Sequence, residues 1–271
     1  MQEQNYKVDF FIGIILVVGL FIGQSFAYAI GLGLSALFNQ DISESGGFKI
    51  FMYCATMLTP VLFFDLLVVR KEKKKLNFDF STKPFRLYLL IFPMMFGMML
   101  VADYTTQLIP TTGGILGPIY ELYTKEFAKL LKDPVALVIM TVILAPILEE
   151  ILFRGVIMKG MINNKVAPAT AIIVSALIFG AVHFNPWQFA GAFLLGLVLG
   201  LVYYKTKSLL MPILLHAFNN LLSALMMMYS DSETFSGLFN INKELLLVAG
   251  VVIFAIPFYF FAIHKNIIYK D

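Results

Sequence analysis

Apolar stretches close to twenty residues long recur eight times along the chain, and twenty residues at about 1.5 Å each is what a helix needs to cross roughly 30 Å of hydrocarbon. They run from Asp9 to Phe38, Phe48 to Val69, Phe85 to Tyr104, Pro134 to Met158, Val166 to His183, Trp187 to Tyr204, Leu209 to Tyr229 and Leu246 to Ile263. Hydrocarbon offers no partner to backbone N–H and C=O groups, so such segments fold as helices that satisfy their own. With 59% hydrophobic residues, 14% charged residues and a mean hydropathy of +0.84, the chain is far too apolar for an ordinary water-soluble domain. The expected fold class is therefore all-α, a polytopic membrane helix bundle of about eight transmembrane helices. No connection is long enough for a separate soluble domain and no solenoid period is visible, so residues 1–271 read as a single integral membrane domain.

Charge placement sets the expected orientation. With the amino terminus inside and eight alternating spans, fifteen of the twenty Lys and Arg fall on the cytoplasmic side, including the run from Arg70 to Lys75 and, near the carboxyl end, Lys265 and Lys270. Only Lys49, Lys125, Lys129, Lys132 and Lys243 fall outside, which obeys the positive-inside rule and puts both termini in the cytoplasm. The first run is too long for a signal-peptide core and lacks a basic start, so it is expected to be retained. A single cysteine, Cys54, excludes an internal disulfide framework. From Gly117 to Asp133 the apolar residues share one helical face and the charged ones the other, the pattern of an interfacial helix on the outer leaflet. Gly196 and Gly200 form a G-x-x-x-G pair suited to close helix packing.

An ionisable side chain within a span is costly unless paired or hydrated, and so marks function. The fourth run carries three of them, Glu149, Glu150 and Arg154. Glu150 precedes Arg154 by four, the favourable order for a helical ion pair, whereas Glu149 points about 100° away and has no partner in its own helix. His183 ends the fifth run, and the seventh holds His216 and Asn220, four apart on one face. Pro146 and Pro212 precede Glu149 and His216 by three and four residues, where a proline frees a carbonyl and bends a helix. Along straight helices Glu149 lies about 22 Å from the outer start of its span and His216 about 10 Å from the inner side, but His183 falls near an outer end. Asp65, Asp103 and His264 sit close to interfaces and read as structural.

Three motifs in order, E-E-x-x-x-R (Glu149, Glu150, Arg154), F-x-x-x-H (Phe179, His183) and H-x-x-x-N (His216, Asn220), resemble those of the CPBP family. These are the CAAX-protease and bacteriocin-processing, or Abi, intramembrane proteases, related to the type II prenyl-protein endopeptidases. The likeness covers Ala145 to Leu222. It implies peptide-bond hydrolysis in the membrane, with Glu149 as the base that activates water and His183 helping to hold that water. His216 and Asn220 look like donors to the tetrahedral oxyanion, and Glu150 with Arg154 like an orienting pair.

The family is commonly described as metalloproteases, and Glu149, His183 and His216 would supply ligands to a divalent metal such as zinc. No H-E-x-x-H is present, and the same residues suffice for a metal-free, glutamate-activated water. Both mechanisms stay open on the sequence. Expected partners are the bilayer and a membrane-associated peptide or protein substrate, not nucleic acid. Two other readings compete: a catalytically idle scaffold or regulator of the same type, and a small-solute transporter, against which stands the lack of paired symmetric halves.

Overall fold

The computed structural model describes residues 6–230, 232 and 234–263. His264, Lys265 and Lys270 lie outside the described residues. Ten helices follow one another, with no strand among the described residues: α1 (Phe10–Phe38), α2 (Gly46–Val69), α3 (Phe85–Thr106), α4 (Leu116–Leu131), α5 (Pro134–Asn163), α6 (Pro168–Ala181), α7 (Pro186–Thr206), α8 (Leu210–Tyr229), α9 (Phe235–Phe239) and α10 (Lys243–Ile263). Seven of them, all but α4, α6 and α9, are long and apolar enough to cross a membrane, so the protein is a multi-pass helical membrane protein.

The fifth apolar run behaves differently from the other seven. Its helix, α6, has only 14 residues, begins with Pro168 in its first turn and ends at Ala181, where the chain turns through Phe184 in the left-handed region at φ 56°. This difference removes the conflict over depth. Counted from the carboxyl end of α5 at Asn163, which extends beyond Met158, Glu149 lies about 21 Å into the bundle; α6, about 21 Å long, ends at the same level beside His183. Pro212 also differs from expectation. It is the third residue of α8, a position whose N–H has no intrahelical acceptor anyway, so it starts the helix rather than bending it.

Packing places the site in the middle of the bundle. α1 lies along α2 and α3 along α10, with glycines where backbones approach; a Cβ on Gly97 would stand 2.4 Å from the Phe254 nitrogen. α6 packs on α7, and α8 closes against both α5 and α7. Outside this bundle, α4 buries no residue; Tyr120 meets the Trp187 ring at 4.9 Å and Lys129 meets Glu44 at 3.5 Å, as suits a helix lying along a surface.

α5 is not a uniform helix. Val138–Leu144 and Ile151–Met158 are wound as π-helix, on either side of the α-helical stretch Ala145–Glu150. Such wide turns are rare and concentrate at functional sites. In the first one Ala145 N–H bonds to Met140 O, five residues back; the next donor in that pattern is Pro146, which has none, so Thr141 O is left without a backbone partner. Side chains from elsewhere donate to carbonyls in both wide turns. Asn220 Nδ2 donates to Thr141 O at 2.7 Å, Ser175 Oγ to Phe153 O at 3.0 Å, and Tyr6 Oη to Gly155 O. Tyr6 belongs to a short segment before α1 that is tied to the end of α5 by Val8 N–H to Gly160 O (3.0 Å) and by Asn163 Nδ2 to Tyr6 O (2.9 Å). Burial pushes the Tyr6 phenol well above its ordinary pKa, so it stays a neutral donor.

The Thr141 carbonyl makes a test of this arrangement. Asn220→Ala should lower stability by about 1 to 3 kcal/mol, because a buried acceptor loses its donor. Adding Pro146→Ala supplies a backbone N–H for that carbonyl and should recover most of the loss in thermal unfolding of the purified protein. No recovery would mean that the Asn220 amide serves some other group.

Candidate active site

Glu149 and Glu150 are neighbours in the α-helical centre of α5 and point to different surroundings. Glu150 is fully buried, as is Arg154 one turn later, and the two are joined through Oε1 and Nη1 at 2.8 Å. Taking either charge out of water alone would cost several kcal/mol, so each needs the other. Arg154 is held on two more sides. Its Nη2 donates to Gly196 O on α7 at 3.0 Å, and its guanidinium carbon lies 4.6 Å from the centre of the Phe179 ring on α6. A Cβ on Gly196 would stand 3.2 Å from Nη2, so the glycine both packs the helices and lets a main-chain oxygen reach the arginine. The G-x-x-x-G pair had suggested packing alone.

His216 on α8 joins the same carboxylate. Its Nδ1 lies 3.0 Å from Glu150 Oε1 and its Nε2 faces Glu149 Oε2 at 3.8 Å. A carboxylate only accepts, so Nδ1 carries a hydrogen; in the neutral ring Nε2 then presents its lone pair to the space beside Glu149. His183 is oriented in the same way, with Nδ1 donating to Phe179 O at 2.9 Å. Phe179 sits edge-on to both imidazoles, with ring centroids at 5.4 Å from His183 and 5.6 Å from His216. One aromatic ring thus positions Arg154, His183 and His216 together.

Glu149 is 8% exposed and has a second neighbour that the motifs do not include: Tyr53 on α2 donates its phenolic hydrogen to Glu149 Oε1 at 2.5 Å. Asn220, one turn after His216, spends one amide hydrogen on Thr141 and accepts at Oδ1 from Asn219 at 2.9 Å, which leaves its second amide hydrogen for a ligand. Its role as carbonyl partner to the wide turn was not foreseen from the sequence. Among the described residues no group of three or more His, Cys, Asp and Glu is placed to hold a metal ion; Glu149 and His216 meet, and Phe179 lies edge-on between the rings of His183 and His216.

Residues 131–222, which contain all seven motif residues, match the family described as type II CAAX prenyl endopeptidase, Rce1-like. The match falls on the stretch whose three motifs resemble those of the CPBP family. The membrane-embedded CAAX protease MroQ of Staphylococcus aureus (strain USA300) is 38% identical to this chain over 84 residues, 29% of this chain and 34% of that protein. The chain thus matches about a third of the length of that curated relative. No solved structure matches the chain. The matched segment coincides with the part of the bundle in which α5 to α8 converge, whereas Tyr53 and Tyr6 come from outside it.

The two acids should separate cleanly by thermodynamics. Glu150→Gln strands Arg154 and should destabilise the protein by about 3 to 5 kcal/mol, with Arg154→Gln similar and the double variant well short of the sum. Glu149, which has a phenol rather than a cation as its hydrogen-bond donor, should show little coupling to Arg154 when the same cycle is run by thermal unfolding of purified protein. The reverse coupling would mean that Arg154 is paired with the other acid.

Proposed function

We propose that this protein is an intramembrane endopeptidase that hydrolyses a membrane-associated peptide or protein. The observation that carries the reading is the meeting of Glu149 with the Nε2 of His216, whose ring is fixed from behind by Glu150, at a buried level of the bundle. The CPBP-type segment and the CAAX protease named above support the same class of reaction.

In this mechanism a water lies against Glu149 Oε2 and gives one hydrogen bond to that carboxylate and one to His216 Nε2. Both acceptors are preorganised, so the oxygen lone pair is left pointing at the scissile carbonyl. Glu149 takes the proton as the oxygen attacks. The free amide hydrogen of Asn220 donates to the oxyanion, an interaction that strengthens as charge develops. Collapse of the tetrahedral intermediate breaks the C–N bond, and Glu149 returns its proton to the leaving amine. His183, with Nε2 also presented as an acceptor, holds water or a substrate N–H nearby. Glu150 and Arg154 act by holding His216. In this reading His216 accepts from the water through Nε2, its Nδ1 hydrogen being held by Glu150, where the resemblance had implied a donor to the oxyanion.

No metal takes part in these steps. The donor set around Glu149 supports that choice, since it lacks a third ligand. The substrate is expected to reach the site from the bilayer, and both termini are placed in the cytoplasm on the distribution of basic residues with the short α6 counted as one of eight alternating passes.

Two experiments test this. Glu149→Gln keeps shape and hydrogen bonding but removes the base, so cleavage should fall about 100-fold or more at normal abundance. Membrane proteomics of that variant beside the wild type should show a peptide that accumulates uncut, and activity should survive removal of divalent metals. Near-normal cleavage by well-folded Glu149→Gln would defeat the reading, and loss of activity on metal removal, restored by one equivalent of zinc, would replace the metal-free mechanism. For orientation, a reporter fused after Lys207 should behave as cytoplasmic and one inserted near Ser232 as external; the opposite pattern would invert the bundle.

A further inference from the structure

We propose that Tyr53 is a positioning residue of the site, pinning the Glu149 carboxylate so that one chosen oxygen faces the water. The proposal rests on the reading of Glu149 as general base. It adds to the site a helix that carries none of the three motifs.

Tyr53 lies on α2, and the residues that follow it at helical spacing, Met57, Val61, Phe64 and Val68, belong to the apolar cluster that packs α2 against α5. Tyr53 therefore stands on the buried stripe of its helix, at the level where α5 carries Glu149. Its hydroxyl is the one polar group of that stripe, and it is aimed at Glu149 Oε1 at 2.5 Å. A phenol donating to a carboxylate at that distance makes a short, charge-assisted hydrogen bond, stronger than a neutral one.

What this bond does follows from the torsions of glutamate. The last torsion of a Glu side chain is broad and roughly two-fold, so a buried carboxylate without a pin presents either oxygen to a given neighbour. Glu149 has no cation to fix it, because Arg154 is spent on Glu150 and Gly196. With Oε1 held by Tyr53, Oε2 is the oxygen turned toward His216 Nε2 at 3.8 Å. The water-binding edge is thus set from two sides, by α2 through Tyr53 and by α8 through His216. A general base works only when the proton it takes is within hydrogen-bond reach in the reactive pose, so loosening one side lowers the rate of chemistry more than the binding of substrate.

The test is kinetic, with Tyr53→Phe, Glu149→Gln and the double variant assayed on one cleaved peptide in reconstituted vesicles. Tyr53→Phe removes only the hydroxyl. The expected result is a fall in kcat of about 10- to 100-fold, the worth of a hydrogen bond to a charged group, with KM changed by less than about twofold and normal abundance in the membrane. The double variant should be no slower than Glu149→Gln alone. A second readout needs no substrate: the carboxylate stretch that disappears from the infrared spectrum in Glu149→Gln should be shifted in Tyr53→Phe. Wild-type kcat in Tyr53→Phe beside an inactive Glu149→Gln would overturn the role of Tyr53 and leave the base in place. Full activity in Glu149→Gln would instead remove the base itself. A rise in KM at constant kcat would make Tyr53 a substrate contact, loss of the protein from the membrane would make its hydroxyl a structural link, and an unshifted infrared band would deny the bond; each overturns the proposal.

Discussion

One carboxylate oxygen, Glu150 Oε1, receives both the Arg154 guanidinium at 2.8 Å and the His216 ring at 3.0 Å, and the centre of the bundle is arranged around it. A buried ion pair is poor evidence of stability, since a well-packed apolar replacement often does as well. Its value here is geometric. Through Arg154 it reaches Gly196 on α7 and Phe179 on α6, and through His216 it reaches α8, so four helices share one register at the level of Glu149. Aliphatic side chains in the same volume would fill space without fixing which ring nitrogen faces the neighbouring acid.

The same economy explains the uneven winding of α5. A regular α-helix turns each backbone carbonyl back into its own ladder, whereas carbonyls in the two wide turns also take hydrogens from side chains on α8, α6 and the segment before α1. Backbone polar groups have no other outlet in hydrocarbon. The six residues that hold both acids are thus a short α-helical piece gripped at either end by its neighbours. Precision at Glu149 comes from those grips as much as from its own helix.

What the sequence made legible were the features with local periods. Spans follow from length and hydropathy, and the Glu150–Arg154 pair from a spacing of four; three motifs in order indicated which helices carry polar groups. Long-range partners left no such mark: Tyr53 is 96 residues from Glu149, Gly196 is 42 from Arg154 and Tyr6 is 149 from Gly155, and each looks ordinary in its own segment. A tyrosine on an apolar helical stripe was the only available signal for the first of these. The fifth apolar run read as too long because Val166 and Ala167 precede the helix and Val182 continues its composition past the helix end, where backbone conformation rather than hydropathy stops it. Wide turns in α5 are invisible to composition, although Pro146 marked where one carbonyl would need help.

The sharpest test of this arrangement is the nitrogen NMR spectrum of the imidazole rings, which is tractable because the chain has only three histidines. His216→Gln would assign the relevant signals, and Glu150→Gln would then be compared with wild type in the same lipid. The expected result is a His216 ring with hydrogen on Nδ1 whose Nδ1 resonance moves on Glu150→Gln, while the His183 signals stay where they are. A His216 spectrum unchanged by Glu150→Gln, or one with hydrogen on Nε2 alone, would contradict the shared carboxylate on which the rest of the site depends.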